Sequence, residues 1–188
     1  MFDIKVSSHI INHCVDQLKK YNFGKRGEAD GDYEKQLVGI IGQSVVSDIC
    51  GLPLIDGSKG FDGGEDIRIG NYIVDIKTMG RKSRVRKEYV SNFYSLQKNY
   101  NTDIYIFASL NKNNHILTVV GWIPKNEFFE KSKFFKTGEK RYRRDGTDFL
   151  LTTDLYEIEN KYLRIVFDAD HMMNQIYMAW KPKGESNE

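Results

Sequence analysis

The sequence predicts an α/β fold. Three observations carry this: two segments with apolar residues at helical spacing, one short hairpin with strict alternation, and two nearly unbroken apolar runs at 103–110 and 115–123. The first helix is expected over 6–20, where Ile10, Ile11, Cys14, Val15 and Leu18 share a face and Ser7 or Ser8 caps the start. Residues 22–31 read as a loop. A second helix is expected from Asp32 to Cys50, with an apolar stripe of Leu37, Ile40, Ile41, Val45 and Ile49, ended by Gly51 and Pro53. Gly39 and Gly42 lie inside it. Each costs up to ~1 kcal/mol against Ala, which predicts that another backbone packs closely there. Beyond the loop GSKGFDGGED, two strands, Asp66–Ile69 and Tyr72–Lys77, flank Gly70-Asn71. A helix is expected over about 87–100, carrying Val90, Phe93, Tyr94, Leu96 and Gln97. The two apolar strands follow, joined by a turn at Asn111–Asn114. A short helix at 125–136 and strands near 147–152, 161–167 and 175–180 complete the pattern.

Composition narrows the class. Of 188 residues, 40% are hydrophobic and 13% aromatic, enough to build a core and too many for a disordered chain. No apolar run approaches the ~18 residues of a membrane helix, and the N-terminal stretch lacks a long apolar core, so a soluble, cytoplasmic protein is expected. Two cysteines, Cys14 and Cys50, exclude a disulfide framework and a four-ligand zinc site. One domain over 1–183 is expected, with its core at about 32–123, an elaboration at about 124–183 and a polar tail at 184–188. Net charge is only +2, yet residues 81–87 carry +5, residues 125–144 another +5, and the remainder −8. Basic charge gathered this way points to a polyanionic partner. Arg81, Lys82, Arg84, Arg86 and Lys87, with Lys140, Arg141, Arg143 and Arg144, are the candidate phosphate contacts. The phenylalanines among them are expected to be mostly core.

The hairpin is the most informative stretch. With Gly70-Asn71 as a two-residue primed turn, Ile69 faces Tyr72, Arg68 faces Ile73, Ile67 faces Val74, and Asp66 faces Asp75. One face then carries Ile67, Ile69, Tyr72, Val74 and Ile76. The other carries Asp66, Arg68, Ile73, Asp75 and Lys77. Directly opposed like charges destabilise a sheet. Two carboxylates on an open face instead suit Mg²⁺ or Mn²⁺, which take oxygen ligands and keep waters. Lys77, two residues beyond Asp75, shares that face and can stabilise charge on a phosphate.

The order of helix, glycine-rich turn, Asp66, hairpin, Asp75-Ile76-Lys77 resembles the PD-(D/E)XK nuclease superfamily. Gly63-Gly64-Glu65-Asp66 resembles the turn of its resolvase-like and Mrr-like members, and Gly39-Ile40-Ile41-Gly42-Gln43 their G-x-x-G-E helix motif. Gln97-Lys98-Asn99-Tyr100 is similar to a Q-x-x-Y element of RecB-like members. The resemblance covers about residues 32–110. It implies a restriction-endonuclease-like core with a central mixed sheet flanked by helices, and a Mg²⁺- or Mn²⁺-dependent DNA endonuclease able to form a homodimer. It implies Asp66, Asp75 and the carbonyl of Ile76 as metal ligands, Lys77 as the aid to the attacking water, and Gln43 or Glu34 as the residue orienting a water. Gln43 stands where the family usually has an acid. The alternative is a non-catalytic DNA-binding or assembly module on the same scaffold. Asp75→Ala and Lys77→Ala are expected to abolish cleavage with folding mostly intact.

Overall fold

The computed structural model describes residues 1–21, 23, 32–59, 63–142 and 146–179. Ten strands and four α-helices are found among them. In chain order these are β1 (Phe2–Lys5), α1 (Ser8–Lys20), α2 (Tyr33–Ile49), β2 (Ile67–Ile69), β3 (Tyr72–Arg81), β4 (Val90–Tyr94), β5 (Ile104–Asn111), β6 (Ile116–Pro124), α3 (Lys125–Lys131), β7 (Lys133–Phe135), β8 (Lys140–Tyr142), β9 (Asp148–Leu150), β10 (Leu155–Glu159) and α4 (Ala169–Met178). Both early helices start at a side-chain cap: Ser7 accepts from the Ile10 N–H, and Asp32 from the Lys35 N–H. Gly51, at φ 69°, follows the end of α2.

The five-stranded sheet is mixed, in the order β1-β6-β5-β3-β2. β3 and β5 run parallel, and the other neighbours are antiparallel. Its first face carries Ile67, Ile69, Val74, Ile76, Ile104 and Ile106 into an apolar cluster with α1, α2 and α4. That cluster reaches from Val6 to Ile176, so packing of the main core is not confined to 32–123. The second face carries Tyr105, Phe107 and Ile123 into an aromatic cluster with Phe93, Phe128 and Ile158. A three-stranded sheet, β4-β10-β7, together with α3, supplies that cover. Helices therefore line one face of the sheet, while the other is covered mainly by a second sheet.

Several elements differ from expectation. The segment 87–100 is β4 followed by a 3₁₀ turn at Ser95–Gln97, not a helix. Ser91 and Phe93 are buried while Val90, Asn92 and Tyr94 turn the other way, a period of two set by pairing with β10. The helix expected over 125–136 stops at Lys131, because Lys133–Phe135 pairs with β10 as β7. No strand forms at 161–167: the chain makes a 3₁₀ turn at Asn160–Tyr162 and touches the sheet in a single bridge, Trp122 to Arg164. Residue 180 of the next expected strand lies outside the described residues, and residues 175–179 do not form a strand either. Through Met178 they belong to α4, whose Met172 and Ile176, four apart, enter the first cluster. β1, β8 and β10 fall where no strand was expected. Strands at 66–69, 72–77, 103–110, 115–123 and 147–152 appear within a few residues of the expected bounds. The polar tail 184–188 and most of the 22–31 loop lie outside the described residues.

Gly42 is a real close approach: a Cβ there would stand 1.8 Å from Thr78 Oγ1 on β3. It therefore lets α2 lie directly on the strand that carries Asp75 and Lys77. Gly39 is not, since a Cβ would meet nothing within 4 Å.

Candidate active site

Three of the four expected hairpin pairs form, Ile67 opposite Val74, Arg68 opposite Ile73 and Ile69 opposite Tyr72, while the fourth, Asp66 opposite Asp75, does not: the Asp66 N–H turns to the Val74 carbonyl instead. Gly70 takes φ 59°, whereas Asn71 does not enter the positive-φ region, so glycine alone bears the tight reversal. The ladder ends one residue early. Continued regularly, it would have the Ile76 N–H donate to the carbonyl of Glu65. Instead the N–H donates to Asp66 Oδ2 at 2.6 Å, and the Asp66 N–H donates to the Val74 carbonyl at 3.0 Å. The Asp66 carboxylate thus lies on the β3 edge, against the residue that follows Asp75. In an antiparallel ladder the N–H and C=O of a paired residue point the same way. The Ile76 carbonyl therefore looks out over the edge where Asp66 sits. Beyond Val74, no strand among the described residues pairs with that side of β3.

Asp75 and Lys77 point to the second face, where their β5 partners are Tyr105 and Phe107. This face is not open as expected. The Asp75 side chain is 3% exposed and that of Lys77 16%, and their Oδ2 and Nζ are 2.7 Å apart. β4 forms the roof, with the Lys77 ammonium 5.4 Å from the centre of the Phe93 ring. The Tyr105 hydroxyl is buried in the same layer. Burial, and secondarily the Asp75 charge, push its pKa above the usual tyrosine value. Asp66 is only half-buried, so the site opens toward the β2 edge rather than through the sheet face.

Gln43 lies on α2, across the sheet from Asp75, and its Nε2 donates to the Asp66 carbonyl at 3.3 Å. Glu34 does not join the group. Nine residues earlier on the helix it is ~13.5 Å away along the axis, and it pairs with Lys112 in the β5–β6 turn at 2.6 Å. The glycine-rich turn is locked behind Asp66. Gly64, at φ 91°, offers its carbonyl to Thr102 Oγ1 at 2.8 Å, and a Cβ there would crowd Tyr100. Arg68 forks onto Glu65 through two bonds, of 2.6 and 2.8 Å, and not onto either aspartate.

The basic residues divide. Arg81 turns inward: it donates to the Val90 carbonyl at 2.9 Å and lies over the Tyr89 ring, and burial lowers its pKa. It braces the β3–β4 corner. Arg84 is exposed but paired with Asp3. Lys82, Arg86 and Lys87 are exposed, with no ion pair among the described residues, on a loop pinned by buried Val85. Lys140 pairs with Asp148, and Arg141 with Glu157 while lying over Phe135. Arg143 and Arg144 lie outside the described residues. Among the nearby phenylalanines, expected to be mostly core, Phe128 is core but Phe134, between Lys133 and Phe135-Lys136, is 42% exposed.

Oxygen donors suit a hard divalent ion. The fit rests on the Asp66 carboxylate and the Ile76 carbonyl at the β3 edge, with the Asp75 carboxylate on the adjoining second face and already paired with Lys77. Among the described residues no group of three or more His, Cys, Asp or Glu side chains gathers to hold a metal. A Mg²⁺-type ion that keeps several waters matches such a sparse protein shell. No helix among the described residues is long and apolar enough to cross a membrane. No family model, no curated protein and no solved structure matches the chain.

Proposed function

We propose that this chain is a Mg²⁺- or Mn²⁺-dependent DNA nuclease, an endonuclease on a restriction-endonuclease-like core. The observation that supports this most is the bond from the Ile76 N–H to Asp66, which draws the first acid to the β3 edge beside Asp75 and Lys77. A bound divalent ion supplies Lewis acidity and a more acidic water. Asp66, Asp75 and the Ile76 carbonyl would hold it. Lys77, held by Asp75, turns its ammonium to a phosphate oxygen as charge develops there. Gln43 steadies the Asp66 backbone. Lys82, Arg86 and Lys87 neutralise flanking phosphates.

The test uses supercoiled, linear and single-stranded DNA with Mg²⁺, Mn²⁺ or EDTA. Cutting is expected with either metal and not in EDTA. Asp75→Asn and Lys77→Met should each slow it by about 10²–10³-fold. Cutting by both variants at the parent rate removes the site assignment. The second reading, a DNA-binding module without catalysis, is favoured by Gln43 alone, an amide where an acid would add charge. It requires DNA affinity in EDTA and no nicking under any metal.

A further inference from the structure

Beside the candidate site lies a surface that the nuclease reading does not use. Phe93, Tyr156 and Phe134 sit in register across β4, β10 and β7. Their exposure rises along that row, from 1% at Phe93 to 42% at Phe134. Phe134 and Tyr156 have ring centres 5.0 Å apart, and Tyr156 is another 5.0 Å from Phe129 on α3. Exposed Lys98 stands over both inner rings, 5.3 Å from Phe129 and 5.7 Å from Tyr156, and donates to the Tyr156 hydroxyl at 3.3 Å. Phe129 also forms one wall of an open hollow of about 420 Å³, shared with Thr102, Asp103, Lys125 and Asn126. Thr102 in turn holds the Gly64 carbonyl, two residues before Asp66. Ring contacts, then a shared hollow, then one hydrogen bond therefore lead from a half-exposed ring on the surface to the turn that carries the first acid.

The chemistry of this path is specific. Its cations, Lys98 and Lys125, suit a phosphate backbone, although Lys125 also donates to the Tyr100 carbonyl at 2.5 Å. Phe134, the exposed ring of the row, offers a π-face, which stacks on bases only where those bases are unpaired. Asn126, exposed at the hollow, offers both a donor and an acceptor to a base edge. The Asp103 carboxylate in the hollow is turned to the sheet, where its Oδ2 takes the Ile73 N–H at 2.9 Å. A base pair buries both its faces between neighbours, so a duplex could use the lysines but not the rings.

We infer that the path from Phe134 over Tyr156 and Phe129 to the Gly64 turn is a track for single-stranded DNA, so that the substrate is an unpaired strand or a flap. This deepens the nuclease reading and rests on it for the word substrate, but strand binding is measurable without cleavage.

The experiment is fluorescence anisotropy in EDTA, with labelled oligothymidylate and a hairpin duplex of equal length. Oligothymidylate should bind about tenfold more tightly than the duplex. Phe134→Ala should weaken the oligothymidylate complex about five- to tenfold and leave the duplex complex unchanged. Phe134→Trp should restore affinity, with its emission quenched on binding, which guards against a folding defect in the alanine variant. Equal affinity for the two DNAs, or indifference to Phe134→Ala, overturns the track. Cleavage with Mg²⁺ is scored separately. A protein that shows this ring-dependent binding yet never cuts removes the nuclease reading and keeps the track. One that cuts plasmid DNA while ignoring Phe134 does the reverse.

Discussion

Asp75 carries two duties that conflict. It is a candidate metal ligand, and it is also the buried counter-charge of Lys77. Removing one partner of a buried pair leaves the other charge uncompensated, at a cost of about 3–5 kcal/mol. Asp75→Ala should therefore lower stability by about 3 kcal/mol in urea denaturation as well as stop cleavage, so the expectation of a neutral substitution does not survive the burial. Asp75→Asn with Lys77→Met removes both charges. It should recover most of that stability while cleavage stays absent. A double variant as unstable as Asp75→Ala would show that packing, not the uncompensated ammonium, sets the cost. Asp66 is different, since its carboxylate terminates the ladder by taking a backbone N–H in place of the Glu65 carbonyl. That exchange is a tertiary choice, and alternation alone predicts only the face.

At the scale of elements, α2 shows how two identical residues differ by what faces them. Gly42 sits against Thr78 and Gly39 against nothing. Gly39→Ala should raise stability by about 0.5–1 kcal/mol, the helical preference for alanine. Gly42→Ala should lower it by about 1–3 kcal/mol by forcing α2 off β3, and cleavage should fall with it because β3 carries the site. Thermal melting of the two variants checks both signs, and equal shifts would mean the helix is not seated on Thr78. From the sequence both glycines read alike. β4 teaches the same lesson. Val90-Ser91-Asn92-Phe93-Tyr94 supports either period over so short a run, and pairing with β10, some sixty residues later, decides for the strand.

Across the whole molecule, the C-terminal segment is clasped to the sheet by a charged contact. Arg164 reaches Glu127 on α3 at 2.6 Å, lies over the Trp122 ring, and its N–H donates to the Trp122 carbonyl. Hydrogen bonds from Arg164, then Lys131, hold the Glu127 carboxyl below the usual glutamate range. A depressed carboxylate contributes stability that is complete above its unfolded pKa, roughly 4.3, and is lost as pH falls through the folded value. Glu127→Gln should lower the melting temperature at pH 7 and shrink the gap between the variants as pH drops below about 4. A gap independent of pH would assign the contact to packing rather than charge.

Local chemistry, read from the sequence alone, determined a serine cap at 7 or 8, a helix start at Asp32, three pairs of the hairpin register, the alternation that sends Ile67, Ile69, Val74 and Ile76 to one core, and the shared face of Asp75 and Lys77. Each follows from a few neighbouring residues and a fixed backbone period. Tertiary structure alone decided that the candidate site is roofed by Phe93 and opens at the β2 edge, that Arg81 turns inward, that Glu34 stands apart with Lys112, and that Phe134 remains exposed. Those outcomes depend on which distant segments come to lie beside one another, and no local spacing records a contact between residues sixty positions apart.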